Sequence, residues 1–358
     1  MKHLCPVCGW PELNAPPYDE ARNGSFEICP CCGVEFGYDD AARGQTLEQT
    51  RARWIAGGMK WWSTSRPEPK NWDATRQLAR AASANDPASA GPLVAMVGDR
   101  CEEIEADFTA ERMQGIWDRE GNPHGIDIRP FGSARAFLAS GLSAMRMFNR
   151  VLNFRHDEVI HLEAILAYYS AGGISPEFEI HPHDGCEMVF EHLAAHGFRQ
   201  TGFHAAFVGV SLSPQAIPGH IVVKPVRTPM EFESFLDAYL RGWKVDPLYL
   251  PGARANMEFW QRCPHWRLYL AEMDGVVAGV GIVFLQKGAA YLTNAVVLDE
   301  FRRRGIQSAL IAARVRDAAA AGCQTIYAHA AWDSANHRNL LRSGLQLCYT
   351  KALWGRAG

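Results

Sequence analysis

"VVLDEFRRRGIQSAL", residues 296–310, joins an apolar strand-like run to an alanine-rich helical pattern through three arginines and a glycine. Adjacent like charges repel, so the cluster needs a partner from outside, and that partner is an anion. The first N–H groups of a helix starting near Gly305 have no acceptor inside it and point outward. A phosphate docked there gains those N–H bonds and the favourable end of the helix dipole. Gly305 removes a side chain that would stand between backbone and phosphate. Arg302, Arg303 and Arg304 add charge-assisted bonds at the rim, and Ser308 adds a hydroxyl. Strand, basic glycine turn and helix in this order predict an α/β domain with an anion site at the junction.

The bulk properties set bounds. A chain of 358 residues exceeds one ordinary core and predicts two or three domains. With 47% apolar and 21% charged residues and a formal net charge of −3, nothing draws the whole molecule to nucleic acid or an acidic membrane. "MKHLCPVCGW" lacks the apolar run of a signal peptide, and no uncharged apolar stretch reaches the roughly 18 residues of a bilayer span. A cytoplasmic protein without a membrane segment is the expectation. Five of the ten cysteines fall within residues 5–32, a clustering that reads as metal ligation in a reducing compartment.

Three segments separate on composition: residues 1–74, rich in Cys, Trp, Gly and Pro; then 93–213; then 220–358. A linker over 75–92 contains "RAASANDPASAGP", and "SLSPQAIPGH" (211–220) makes a second seam. The two later segments are alike. "EHLAAHGFRQTGFHAAF" (191–207) parallels "NLLRSGLQLCYTKALW" (339–354) when Gly197 is set on Gly344, an offset of 147. Each reads as an amphipathic helix, a glycine stop and a long strand. Upstream, "MFNRVLNF" (147–154) parallels "YLTNAVVL" (291–298), and helices 157–171 and 305–321 both end in Ala-Gly. The copies differ at the anion site, where "NFRHDEVIHL" has neither glycine nor basic loop. Asp157 and Glu158 open the first helix instead, and they repel an anion.

These residues resemble the GNAT N-acetyltransferase family, well over 221–358 and faintly, as a degenerate copy, over 93–210. That family's loop reads Arg/Gln-x-x-Gly-x-Gly/Ala; here it is Arg302-Arg303-Arg304-Gly305-Ile306-Gln307, with Gln307 in place of the last small residue. The resemblance implies an α/β (α+β) fold with a mixed central sheet in two copies, and acetyl-CoA as co-substrate. It implies that Val297 and Leu298 meet the pantetheine arm, that residues 302–308 hold the pyrophosphate, and that Asn339 reaches the cofactor. The reaction implied is transfer of acetyl to a primary amine of a small molecule or peptide. A non-catalytic acyl-CoA sensor or scaffold is the alternative, because the family's proton-donating tyrosine position is Leu340. Tyr349, Asp333 and His337 are the substitutes expected near the strand end, with His329 beside them. The aromatic segment 228–266 is either the acceptor wall or helix core, and it holds few carboxylates for a polyamine.

Two matching knuckles, "CPVCG" (5–9) and "CPCCG" (29–33), make Cys5, Cys8, Cys29 and Cys32 one tetrahedral thiolate set for structural Zn2+, leaving Cys31 spare. The block resembles small bacterial cysteine-rich CPCC proteins and predicts a zinc-ribbon-like domain. Eight Lys/Arg against nine Asp/Glu in residues 1–70 argue against nucleic acid, leaving a protein as the partner such a module would take. Trp54, Trp61, Trp62 and Trp72 are read as the core of a very small domain.

Overall fold

The computed structural model describes residues 2–19, 23–70, 72–74, 77–78, 91–183, 185–210, 212 and 215–356. It falls into two compact units, Met1–Met96 and Val97–Gly358. The expected linker lies mostly outside the described residues, as do Ser211, Ser213 and Pro214 of the second seam. Among the described residues no helix is long and apolar enough to cross a membrane.

In the first unit the two knuckles fold identically. Cys5 N–H donates to Trp10 O (2.8 Å) and Gly9 N–H to Cys5 O (2.9 Å); Cys29 N–H donates to Val34 O (2.9 Å) and Gly33 N–H to Cys29 O (2.9 Å). Both turns close on a glycine at φ 77°, a left-handed conformation that a side chain would strain. Helix α1 (Leu47–Ala56) starts with a Thr46/Gln49 capping box. From it Arg51 donates through Nε to Val7 O at 2.8 Å, tying helix to knuckle. Trp10, Trp61 and Trp72 meet edge to face at 5.1 and 5.3 Å and Trp54 is buried, while Trp62 is 55% exposed, its ring laid over Gly33.

The second unit is built on one mixed sheet. Helix α2 (Gly91–Trp117) leads to strands β1 (Ile126–Phe131), β2 (Ala134–Ala139) and β3 (Arg150–Leu152). There follow α3 (Leu162–Ala171), β4 (Glu177–Ile180), α4 (Cys186–Ala195) and β5 (Phe198–Val210). Then come β6 (Ile221–Pro225), α5 (Pro229–Gly242), α6 (Leu250–Ala255), β7 (Trp266–Met273), β8 (Val276–Gln286) and β9 (Ala289–Val297). Helix α7 (Ile306–Ala320), β10 (Thr325–Ala331), α8 (Ala335–Arg342) and β11 (Gln346–Arg356) complete the chain. The strand order is β1-β2-β3-β4-β11-β5-β10-β9-β8-β7-β6, so the last strand of each half is inserted into the other half.

The central β5–β11 pair is antiparallel, with Phe207 opposite Leu347 and Gln200 opposite Trp354. Shifting each residue of one pair by the offset of 147 exchanges the two pairs, so the register obeys the internal likeness of the sequence. Two apolar layers sandwich the second half of the sheet. On one face α2 and α5 cover it with Ile104, Phe108, Phe235 and Tyr239. On the other, α7 covers it with Ala309, Leu310 and Val315. Most aromatics of 228–266 belong to the first layer: Phe232, Phe235, Tyr239, Trp260 and Trp266 are all buried there.

Candidate active site and metal centre

Parallel strands β9 and β10 pair only from Ala289/Thr325 to Leu292/Ala328. Beyond that point β9 continues to Val297 and β10 to Ala331 without pairing, so the two strands splay apart. A bulge assists the splay. Between Val280↔Val296 and Ile282↔Thr293 two residues of β9 face Gly281 alone, with Asn294 at φ 45°. Arg314 of α7 fills the bulge, donating through Nη1 to Ile282 O (3.0 Å) and Thr293 O (3.3 Å) and through Nε to Leu310 O (2.9 Å).

A cavity of about 310 Å³ occupies the opening, lined by residues 292–295 of β9, by His329, Ala330 and Ala331 of β10, and by Gln307, Asn336 and Leu340. At this end α7 begins. Gly305 is its N-cap at φ 85° and no side chain caps the helix, so the first-turn N–H groups remain open to a ligand. Arg302, Arg303 and Arg304 are exposed around them; Arg302 pairs with Asp299 at 2.8 Å and Arg304 lies over the Phe301 ring. Gln307 donates to Asn336 Oδ1 at 2.9 Å, linking the starts of α7 and α8. Val297 ends β9, and the buried Leu298 donates its N–H to Ala278 O at 3.0 Å. Ile306 is buried, Ser308 is half-buried in the first turn, and half-buried Asn339 accepts from Arg342 on α8.

The corresponding helix start in the first half is closed from within. Glu158 is buried, and its carboxylate accepts Ser133 N–H (3.1 Å), Ser133 Oγ–H (2.7 Å) and Arg155 N–H (3.1 Å). By the offset of 147, Glu158 is the counterpart of Gly305, where the second half has no side chain.

The far wall of the cavity carries the chemistry. His329 has Nδ1 3.1 Å from Tyr291 Oη and 3.5 Å from Glu105, and Nε2 3.6 Å from Glu102. Behind it lies a buried ionic cluster. Lys351, fully buried, pairs with Glu102 (3.2 Å), Glu179 (3.0 Å) and Glu105; Arg150 pairs with Glu105 (3.2 Å) and Glu179 (2.5 Å). Burial alone would raise Glu102 and Glu179, but Lys351 together with His329 at Glu102, and with Arg150 and His204 at Glu179, outweighs it and holds both well below the usual carboxylate range. Tyr291, raised by burial and then by Glu105, keeps its proton.

Of the residues expected near the strand end, His329 lines the cavity, whereas Tyr349, Asp333 and His337 do not. Tyr349 is buried one layer behind, donating to Glu102 at 2.6 Å. Asp333 is exposed at φ 53° and paired with Arg338 at 2.6 Å. His337 is buried edge-on between Phe207 and Trp332. His329, Tyr291 and Glu105 are the polar groups brought together. A signal for Glu102 and Glu105 existed: two carboxylates in register with Cys101, Ile104 and Phe108 on the apolar stripe of α2.

In the first unit, the sulfurs of Cys5, Cys8, Cys29 and Cys32 all lie within 4.8 Å of one another, with Cys5–Cys32 at 3.8 Å and Cys8–Cys29 at 3.6 Å. A tetrahedron with Zn–S bonds of about 2.3 Å has edges of about 3.8 Å, so the set fits Zn2+. Cys31 points elsewhere and accepts Gln77 Nε2–H at 3.0 Å.

Comparison with known proteins places this geometry. The acetyltransferase (GNAT) family model matches residues 231–344. The fold resembles a GCN5-related N-acetyltransferase from Kribbella flavida (TM-score 0.51, 17% identity, 71% of this chain and 95% of that one). It also resembles a functionally unknown conserved protein from Staphylococcus epidermidis ATCC 12228 (TM-score 0.50, 12% identity, 66% and 96%). Two uncharacterized Bacillus subtilis (strain 168) proteins are similar in sequence. YoaQ is 44% identical over 39 residues (11% of this chain, 33% of that one), and YozI 32% over 81 residues (18% and 64%). The chain thus spans a third of one and under two thirds of the other. The matched segment contains the splayed strands and the open helix start, and the chain has an α/β fold with a mixed sheet of the GNAT kind.

Proposed function

We propose that the second unit transfers an acetyl group from acetyl-CoA to a primary amine. The observation that supports this best is one cavity that runs from Gln307, in the uncapped first turn of α7, through the splay of β9 and β10, to His329. Residues 302–308 would hold the diphosphate, Val297 and Leu298 would align the pantetheine arm, and Asn339 with Asn336 would close the far side. Acetyl-CoA supplies the activated acetyl group. The chain supplies a base: as the amine nitrogen bonds to the acetyl carbon and the C–S bond breaks, His329 takes the amine proton, Glu102 and Glu105 stand on either side of the positive charge that results, and the departing thiolate takes a proton from water. Tyr291, which keeps its proton, holds the ring in place from Nδ1. Tyr349 acts through Glu102 as a positioning residue. A His329→Gln variant is expected to lose about 10²–10⁴-fold in kcat with the acetyl-CoA KM nearly unchanged. Thiol release under saturating acceptor measures it, and an unchanged kcat removes His329 from the reaction.

Residues 93–213 are read as a GNAT-like copy that has given up its site. The exchanged register of β5 and β11 and the self-capping Glu158 support that reading. One observation favours a sensor instead of an enzyme: Leu340, not a hydroxyl, lines the cavity on α8. Ligand-induced stabilisation without thiol release from any amine would decide for it.

For the first unit we propose structural Zn2+ on Cys5, Cys8, Cys29 and Cys32. All four thiolates are used, so no position stays open for chemistry. Chelation is expected to release one zinc per chain and to abolish amide protection within Met1–Met96, leaving coenzyme A affinity within about threefold. Loss of both together would tie the metal to the transferase.

A further inference from the structure

Charge on the cavity wall is unbalanced. Arg150 is matched by Glu105 and Glu179, and Arg314 spends its donors on the carbonyls of the bulge. Arg112 is different. It lines the cavity, is 9% exposed, has no ion-pair partner among the described residues, and its Nε has no hydrogen-bond partner. What surrounds its guanidinium carries no charge: the Tyr239 hydroxyl, the Phe148 ring at 4.7 Å, the Trp260 ring at 5.7 Å and Met147 Sδ at 3.9 Å from Nη1. Aromatic faces offset part of the lost hydration, but a buried cation with an idle donor is normally completed by an anion.

The placement is as telling as the charge. Glu105, Phe108, Thr109 and Arg112 follow the i, i+3, i+4, i+7 spacing of one helical stripe, and all four line the cavity. Seven residues at about 1.5 Å per residue put Arg112 roughly 10 Å along α2 from Glu105, the carboxylate beside His329. The cavity therefore has a base end and a cationic end. A pantetheine arm and an acetyl thioester carry no charge, so the donor does not supply the missing anion.

We propose that the acceptor is a small amine that also carries an anionic group, its nitrogen toward His329 and its anion on Arg112. The amine half of this statement rests on the transferase reading; the anion half rests on Arg112 alone. It adds a charge to the small-molecule amine that the sequence leads one to expect.

The test uses the full chain with two readouts, thiol release and thermal stabilisation. The probes are β-alanine, 4-aminobutyrate, 6-aminohexanoate and leucine, each beside its methyl ester. At least one acid is expected to be acetylated with kcat/KM about tenfold or more above its ester. Arg112→Met should erase that preference through KM, and Arg112→Lys should keep part of it. Esters used as well as acids across the panel overturn the proposal, and that comparison needs no variant. A preference for succinyl-CoA over acetyl-CoA with ester acceptors would put the anion on the donor and also overturn it. If no probe releases thiol, the transferase reading fails, and stabilisation decides the anion separately. A shift with the acids, absent with the esters and lost in Arg112→Met, supports Arg112; no shift with any acid overturns it.

Discussion

A Gly305→Asp variant is expected to fold normally and to lose coenzyme A binding by two orders of magnitude or more, about 3 kcal/mol at 25 °C. Three effects act in one direction. The new carboxylate would stand at the positive end of α7, where it repels a diphosphate. As an N-cap it would accept the very first-turn N–H groups that the ligand needs. It would also pair with Arg303 and Arg304, which are exposed and have no ion pair among the described residues. Stability falls only by the modest strain of the left-handed backbone. Asp is a good N-cap, tolerates the left-handed φ of 85° better than most residues, and meets only Ile221 Cδ1 at 3.6 Å. The first half of the chain already carries a carboxylate, Glu158, at the position that the offset of 147 sets on Gly305. Gly305→Asn, with similar strain and no charge, should lose much less. Calorimetric titration of both variants, with melting curves alongside, separates charge from folding; equal affinity in wild type and Gly305→Asp would remove the site.

Lys351→Met is expected to destabilise the second unit by about 3–5 kcal/mol. Lys351 is fully buried on β11 and serves carboxylates from β4 and α2 at once, so it ties three elements together. Removing it leaves Glu105 and Glu179 with Arg150, and Glu102 with no lysine or arginine partner among the described residues. The sign of the pH dependence should invert. In the wild type these carboxylates titrate below their ordinary range, so their stabilisation is present above about pH 4.3 and fades as pH falls toward their folded values. In the variant burial dominates and pushes them above that range. The folded state then binds more protons than the unfolded one, and stability rises as pH falls from 7 toward 5. Urea unfolding at pH 7 and pH 5 measures both effects. A loss under about 1 kcal/mol, or the same pH slope in both proteins, would contradict the cluster as described.

The helix start at Gly305 was legible because its signals are local: a strand, a glycine and three arginines lie within fifteen residues. The knuckles were legible for the same reason, since spacing within five residues fixes which sulfurs converge. The strand exchange was not, because helix stop and long strand look the same whether β5 and β11 pair at home or across. Within "MFNRVLNF" (147–154) only Arg150–Leu152 is strand, for residues 146–148 form a single 3-10 turn before Arg150. The catalytic wall stayed hidden for a topological reason. Glu102 and Glu105 sit on a helix about 225 residues upstream of His329, and only the sheet order brings them together. Tyr349 and His337 are near the strand end in sequence, yet alternation along β11 and the twist of α8 turn them away from the cavity.

The central claim is that a diphosphate rests on the open amides of α7. Titrating the full chain with coenzyme A and, separately, with pantetheine tests it most directly, since the two share the thiol arm and differ in the charged end. One equivalent of coenzyme A per chain should bind with an affinity that falls as salt rises, while pantetheine binds at least about tenfold more weakly. No heat with coenzyme A, or equal affinity for the two, would contradict it.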